Sequence, residues 1–222
     1  MQILRISLWI WITHLFISID FIHCSTISGG EKEVVDLLCQ NQVCLIVMRH
    51  GEALHNLSHL MVSTRSPGIY LTEKGVKQVE NTANRLSKEQ VGMIYVSPVY
   101  RTLQTAQIVG KALHLPYQKI AIEKDLREQF FGEFEGLTYR EYVAYFSSPE
   151  DVFVGAVPGG ESGQELFNRT RRMLLKIAQK HSHETVLLVT HAFNCCQISK
   201  CLTGSYWDSP EQAEYKVYDF RK

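Results

Sequence analysis

The sequence predicts a single α/β domain, a three-layer α/β/α sandwich around a mostly parallel sheet. Two apolar runs, Leu45-Ile46-Val47-Met48 and Val186-Leu187-Leu188-Val189, have the length and branching of strands buried on both faces. Around them lie segments with apolar residues at three-and-four spacing, each opened by a capping signal, so that strands alternate with helices. A chain of 222 residues holds one well-buried domain, or a domain and a tail.

The elements follow in order. Arg5 precedes an apolar run, Ile6 to Ile19, broken by Ser7, Thr13, His14 and Ser18; Asp20 closes it and Cys24-Ser25 offers small residues for cleavage. This pattern predicts a signal peptide over residues 1–24 and hence the secretory pathway, with an uncleaved membrane anchor or a cytoplasmic chain as the alternatives. Asp20 and His14 make a poor membrane span, since a central acid costs about 2.5 to 3.5 kcal/mol on insertion scales. Residues 25–40 then read as a linker and lead-in to a domain over 41–222.

Within that domain Thr72 caps a helix whose apolar face is Val76, Val79, Ala83 and Leu86. Met93 to Val96 forms a short strand. Ser97-Pro98 reads as a cap with proline at the first helical position, ahead of Val99, Leu103, Ala106, Val109 and Leu113. Ile120 to Ile122 is a further strand. Ser162 and Glu165 form a capping box for a helix running through Leu166, Met173 and Ile177 to about His181, and a final strand spans Tyr215 to Phe220.

Composition narrows the function. Formal net charge is zero, so no global field draws the chain to nucleic acid or to anionic lipid, and any anion selectivity is local. Cleavage through Cys24 leaves an odd number of cysteines. No CxxC spacing occurs, and Cys44 and Cys196 read as small core hydrophobes. His55 and His59, four apart, could share a helical face, but no H-E-x-x-H carboxylate accompanies them, so no metal site is expected. His181 and His183 suit a helix C-terminus.

Both buried strands run into a histidine: Met48-Arg49-His50-Gly51 and Val189-Thr190-His191. In a parallel sheet both emerge at one edge, where open α/β sheets bind ligands. Gly51 would let the chain turn sharply where a larger residue would obstruct a ligand. A third segment, Tyr95-Val96-Ser97-Pro98, delivers Arg101 within one helical turn. Guanidinium forks match phosphate oxygens and remain charged, and nearby positive charge keeps an imidazole lone pair free for attack. The cluster therefore points to phosphoryl binding and transfer.

With these residues in hand, the chain resembles the histidine phosphatase superfamily, the phosphoglycerate-mutase-like group. The likeness runs from Cys44 to about Thr203. It rests on Arg49-His50-Gly51-Glu52 with Asn56, Leu71-Thr72-Glu73-Lys74-Gly75, Ser97-Pro98-Val99-Tyr100-Arg101 with Gln104-Thr105-Ala106, Leu126-Arg127-Glu128, Gly132 with Glu135-Gly136, Pro158-Gly159-Gly160-Glu161-Ser162, and Thr190-His191. The resemblance implies that His50 becomes a phosphohistidine, that Arg49, Asn56, Arg101 and His191 hold the phosphoryl oxygens, and that Glu128 is the acid and then the base. No metal or other cofactor is implied. Chemistry alone does not choose Glu128 over Glu123, Glu133 or Glu135.

The reaction class follows from the segment after Gly136. The mutases resembled here carry a long insertion with an arginine pair; only about twenty residues separate Gly136 from Pro158, and the pair is missing. Phe131 stands where they have tyrosine, Tyr139 near their lysine, and Ala192 where glycine is common after the second histidine. The expected activity is hydrolysis of a small or aryl or alkyl phosphate ester, with a mutase-type phosphotransferase or a silent phosphate-binding module as alternatives. The aromatic stretch Tyr139 to Phe153 is either a lid over the leaving group or a packed helix. Asn56-Leu57-Ser58 and Asn168-Arg169-Thr170 are glycosylation sequons, and a glycan on Asn56 would block the site.

Overall fold

The computed structural model describes residues 19–21, 30–64, 68–207 and 210–221. Among the described residues six strands form one sheet in the order β1-β6-β2-β5-β3-β4, where β1 is Ile19–Phe21, β2 Cys44–Arg49, β3 Val91–Val96, β4 Ile120–Ile122, β5 Thr185–Thr190 and β6 Tyr215–Asp219. All neighbours are parallel except β2 and β6, which run antiparallel. The expected leader lies outside the described residues except for β1, an edge strand beside β6.

The period-two alternation of β2 builds both cores at once. Leu45 and Val47 join a cluster with Val34, Val35 and Leu38 of helix α1 (Gly30–Gln40), Met173, Leu174 and Ile177 of α7 (Gly163–Lys180), and Ile198 and Leu202 of α8 (Ala192–Thr203). Ile46 and Met48 join a second cluster with Val79, Ala83 and Leu86 of α3 (Glu73–Leu86) and Ala106 and Val109 of α4 (Tyr100–Ala112). These are the expected three layers. The expected linker of 25–40 is corrected from Gly30 onward: Val34, Val35 and Leu38 fall on one helical face and are buried, so this segment is a core helix.

Several expected caps are present. Thr72 Oγ1 accepts from the Gly75 amide at 2.9 Å, and Ser162 with Glu165 forms its capping box. The start of α4 is different. Val99, without a side-chain bond, occupies the cap position, and the helix begins at Tyr100 rather than at Pro98. The Ser97 hydroxyl is engaged elsewhere, at His191.

Gly51 and Gly75 let two backbones touch. A Cβ on Gly75 would lie 2.0 Å from the Glu52 carbonyl oxygen, and one on Gly51 would lie 2.7 Å from the Gly75 carbonyl oxygen and 2.6 Å from Val79. Helix packing, rather than ligand access, is what requires glycine at 51. Gly75→Ala gains about 1 kcal/mol of helix propensity but must push the segment after His50 away from α3, an overpacking that costs about 1–3 kcal/mol. We expect a net loss of stability, measured as a lower urea midpoint, together with reduced turnover.

Candidate active site

The pairing of β2 with β5 sets Arg49 opposite Thr190, so the next residues, His50 and His191, leave the sheet side by side. The chain leaving β2 goes to the α3 face and the chain leaving β5 goes to the α8 face, which opens a crevice between the two strands at their carboxyl ends. The His50 amide donates to the Thr190 carbonyl at 3.0 Å, extending the ladder one residue past the strands.

His50 is 2% exposed. Its Nδ1 lies 2.7 Å from the Gly51 carbonyl oxygen, which can only accept, so Nδ1 carries the proton and Nε2 the lone pair. Arg101 Nε donates to that Nε2 at 3.2 Å. Burial first, and then the charges of Arg101 and Arg49, hold the imidazole well below its ordinary pKa. It is neutral at physiological pH, with its lone-pair nitrogen facing a guanidinium.

Arg101 is the pivot of the cluster and is itself 1% exposed. Its Nη2 donates to the Val62 carbonyl at 2.7 Å and to His191 Nδ1 at 3.1 Å. With Nδ1 accepting, His191 Nε2–H donates to Ser97 Oγ at 2.8 Å. Burial also lowers the pKa of His191. Arg49 is anchored through Nη1 to the Pro210 carbonyl at 2.7 Å, while its buried Nε has no partner among the described residues. The His50 and His191 rings lie 5.3 Å apart, centroid to centroid.

Glu128 sits in a loop held by its backbone. Thr190 Oγ1 donates to the Leu126 carbonyl at 2.7 Å, Asn194 Nδ2 to the carbonyls of Asp125 and Arg127 at 3.1 and 3.0 Å, and Arg169 Nη2 to that of Glu128 at 3.0 Å. Arg169 also pairs with Glu161 at 2.7 Å. The Glu128 carboxylate accepts from the amides of Gln129 and Phe193 at 3.1 and 3.4 Å. Burial raises its pKa against the pull of those amides and of Arg101 and Arg49. A cleft of about 650 Å³ opens beside it, lined by Ser63, Pro98, Arg127, Phe130 and Glu161 among others.

Of the sequence-predicted residues, the structure brings Arg49, His50, Arg101 and His191 together and sets Glu128 within electrostatic reach of both arginines. Asn56 is half-buried in α2 (Leu54–Leu57), its Oδ1 accepting from the Ala53 amide and its Nδ2 lying 3.2 Å from His55 Nε2. Asn168, the other sequon residue, is exposed on α7. His55 and His59 do not share a helical face: α2 ends at Leu57, and His59 has φ of +54°. His55 turns inward instead, its ring 5.7 Å from that of His50.

Tyr139 to Phe153 forms helix α5 (Tyr139–Ala144) and leads into α6 (Asp151–Val154). Tyr142 is fully buried and meets Phe131, Phe134, Phe146 and Phe193 edge-on, so this stretch takes the packed-helix form. Cys44 and Cys196 are buried thiols, as expected. His181, expected only to favour a helix end, is buried between Tyr95 OH at 2.9 Å and Glu184 at 2.7 Å. Glu52 links the loop after His50 to α3 through Thr72 and Lys74, at 2.8 and 2.7 Å.

An α/β domain with a neutral histidine and two guanidinium groups in the crevice between its central strands defines a phosphoryl-handling class. Residues 45–216 match the model of the histidine phosphatase superfamily, branch 1. The chain belongs to that superfamily. It is 33% identical over 156 residues to phosphoglycerate mutase-like protein 4 of Arabidopsis thaliana, covering 66% of this chain and 65% of that protein. It is also 33% identical over 166 residues to the metal-independent phosphoserine phosphatase of Arabidopsis thaliana, covering 70% of this chain and 67% of that protein. The chain thus spans about two thirds of the length of these relatives. A phosphoglycerate mutase from Bacillus anthracis superposes with a TM-score of 0.69 at 26% identity, covering 80% of this chain and 88% of that one.

Proposed function

We propose that this chain is a metal-independent phosphomonoesterase that works through a phosphohistidine on His50. The observation that carries this reading is the state of His50: neutral, buried, with its Nε2 lone pair directed at Arg101 and its other nitrogen fixed by Gly51. On substrate binding the phosphoryl oxygens take over the N–H groups of Arg101, the free Nε of Arg49 and the nearby amide of Asn56. The incoming dianion favours protonation of His191, which then donates from Nδ1.

Nε2 attacks phosphorus and forms the P–N bond as the P–O bond to the leaving group breaks, and the Glu128 proton passes to that oxygen. Water then attacks phosphorus, giving its proton to Glu128, and the P–N bond breaks to release phosphate and neutral His50. The guanidinium groups supply the positive charge that the transition state needs.

Hydrolysis is favoured over mutase cycling because residues 137–157 contain a single cation, Arg140, and so lack a paired grip for a second phosphate. Arg127 at the cleft offers a partner for a leaving group with a carboxylate, consistent with the phosphoserine named for one relative. The test is turnover of p-nitrophenyl phosphate, phosphoserine and 3-phosphoglycerate with excess EDTA, combined with trapping of ³²P-labelled enzyme. We expect EDTA-resistant hydrolysis and an acid-labile label on the peptide containing His50. A label elsewhere, or turnover that EDTA abolishes, overturns the mechanism.

A further inference from the structure

We infer that His55 is a further phosphoryl-binding residue, donating a hydrogen bond from Nδ1 to the group that His50 attacks; the inference rests on the reading above. The hydrogen-bond geometry fixes its tautomer. The Ala53 amide can only donate, and it meets Asn56 Oδ1 at 2.9 Å, so the Asn56 NH₂ must be the end that faces His55 Nε2 at 3.2 Å. Nε2 therefore accepts, and in a neutral ring the proton lies on Nδ1.

That N–H is buried and has no partner among the described residues. An orphaned buried donor costs about 1–3 kcal/mol, and the residue is only 7% exposed, so water does not relieve it freely. Its surroundings identify the acceptor. The ring lies 5.7 Å from that of His50, and the charges acting on it are those of Arg101 and Arg49, with no carboxylate among them. Burial, with help from these two cations, holds the imidazole pKa down to about 3, so it stays neutral and keeps this tautomer. A neutral donor among cations, next to the nucleophile, suits an anionic oxygen. The Asn56 side chain then has a second duty, to orient this ring.

The test compares His55→Phe, His55→Asn and His55→Gln with the wild type. Phenylalanine keeps the ring without a donor, asparagine places an amide N–H near the Nδ1 position, and glutamine reaches instead toward Nε2. Orthophosphate affinity is read by calorimetry and orthovanadate inhibition by initial rates. We expect His55→Phe to weaken both by about tenfold, equivalent to about 1.4 kcal/mol, and to lower kcat. His55→Asn should return to within about threefold of wild type while His55→Gln does not.

Folded His55→Phe with wild-type phosphate affinity overturns the inference. If that variant does not fold, the other two decide, and glutamine binding phosphate as well as or better than asparagine overturns it. Phosphate affinity is an equilibrium property. Wild type that binds phosphate through His55 yet never turns over refutes the hydrolase and leaves His55 as a ligand, and wild type with no phosphate affinity refutes both.

Discussion

His50→Ala is expected to lower kcat/KM for p-nitrophenyl phosphate by about 10,000-fold or more and to abolish the acid-labile label, because losing a nucleophile removes the covalent route altogether. A better leaving group should not rescue it, because in the proposed mechanism the phosphoryl group is passed only to His50 Nε2, while His191 holds Ser97 through its Nε2–H and serves as a phosphoryl-binding group. Orthophosphate binding should persist, because Arg49 and Arg101 remain to hold it. The combination of retained phosphate affinity, an unchanged urea midpoint and lost turnover separates a missing nucleophile from a misfolded chain. Turnover surviving the substitution would refute the phosphohistidine route.

Glu128→Gln is expected to act selectively. An alkyl leaving group needs a proton and p-nitrophenolate does not, so kcat should fall by about 100- to 10,000-fold for phosphoserine and by far less for p-nitrophenyl phosphate. The pH dependence supplies a second reading. His50 must be neutral, and its depressed pKa keeps it so well below pH 6.5; Glu128 must be protonated, and its raised pKa keeps the proton above pH 4.5. The wild-type kcat/KM for phosphoserine should therefore decline as pH rises through the Glu128 pKa, and that limb should vanish in Glu128→Gln. An equal loss on both substrates with the basic limb intact would remove Glu128 from the acid's role.

The sheet and its helices were legible because burial and period agree locally: Leu45 to Met48 and Val186 to Val189 admit no exposed face, and Thr72 and Ser162 mark their helices plainly. Arg49, His50, Arg101 and His191 were legible as chemistry because three segments end in them. The choice of Glu128 came only through family resemblance. What positions it, the side chains of Arg169, Asn194 and Thr190 on the carbonyls of residues 125–128, involves residues over 60 positions away or on another helix, and no local pattern announces such contacts.

Ser97 departs from its local signal for a related reason. A serine before proline carries a strong local cap signal, but a buried histidine nitrogen across the sheet competes for the same hydroxyl, and tertiary demand prevailed. In the sequence His55 suggests only a metal ligand beside His59, because their spacing presumes a helix that here stops after four residues. The helix from Gly30 is hidden in the sequence because its glycine start and short charged face resemble a linker, whereas in the fold Val34, Val35 and Leu38 pack against α7 and α8.

The distance between the two strand-end histidines is set by the alignment of β2 on β5, a main-chain register held by the buried apolar residues of both strands. In the proposed mechanism the phosphoryl half of the crevice thus behaves as a fixed gauge, while the half beside Glu128 hangs from a loop pinned by side chains. Redesign for a new ester should then proceed at Arg127 and Phe130, which line the cleft beside Glu128, with the gauge left untouched.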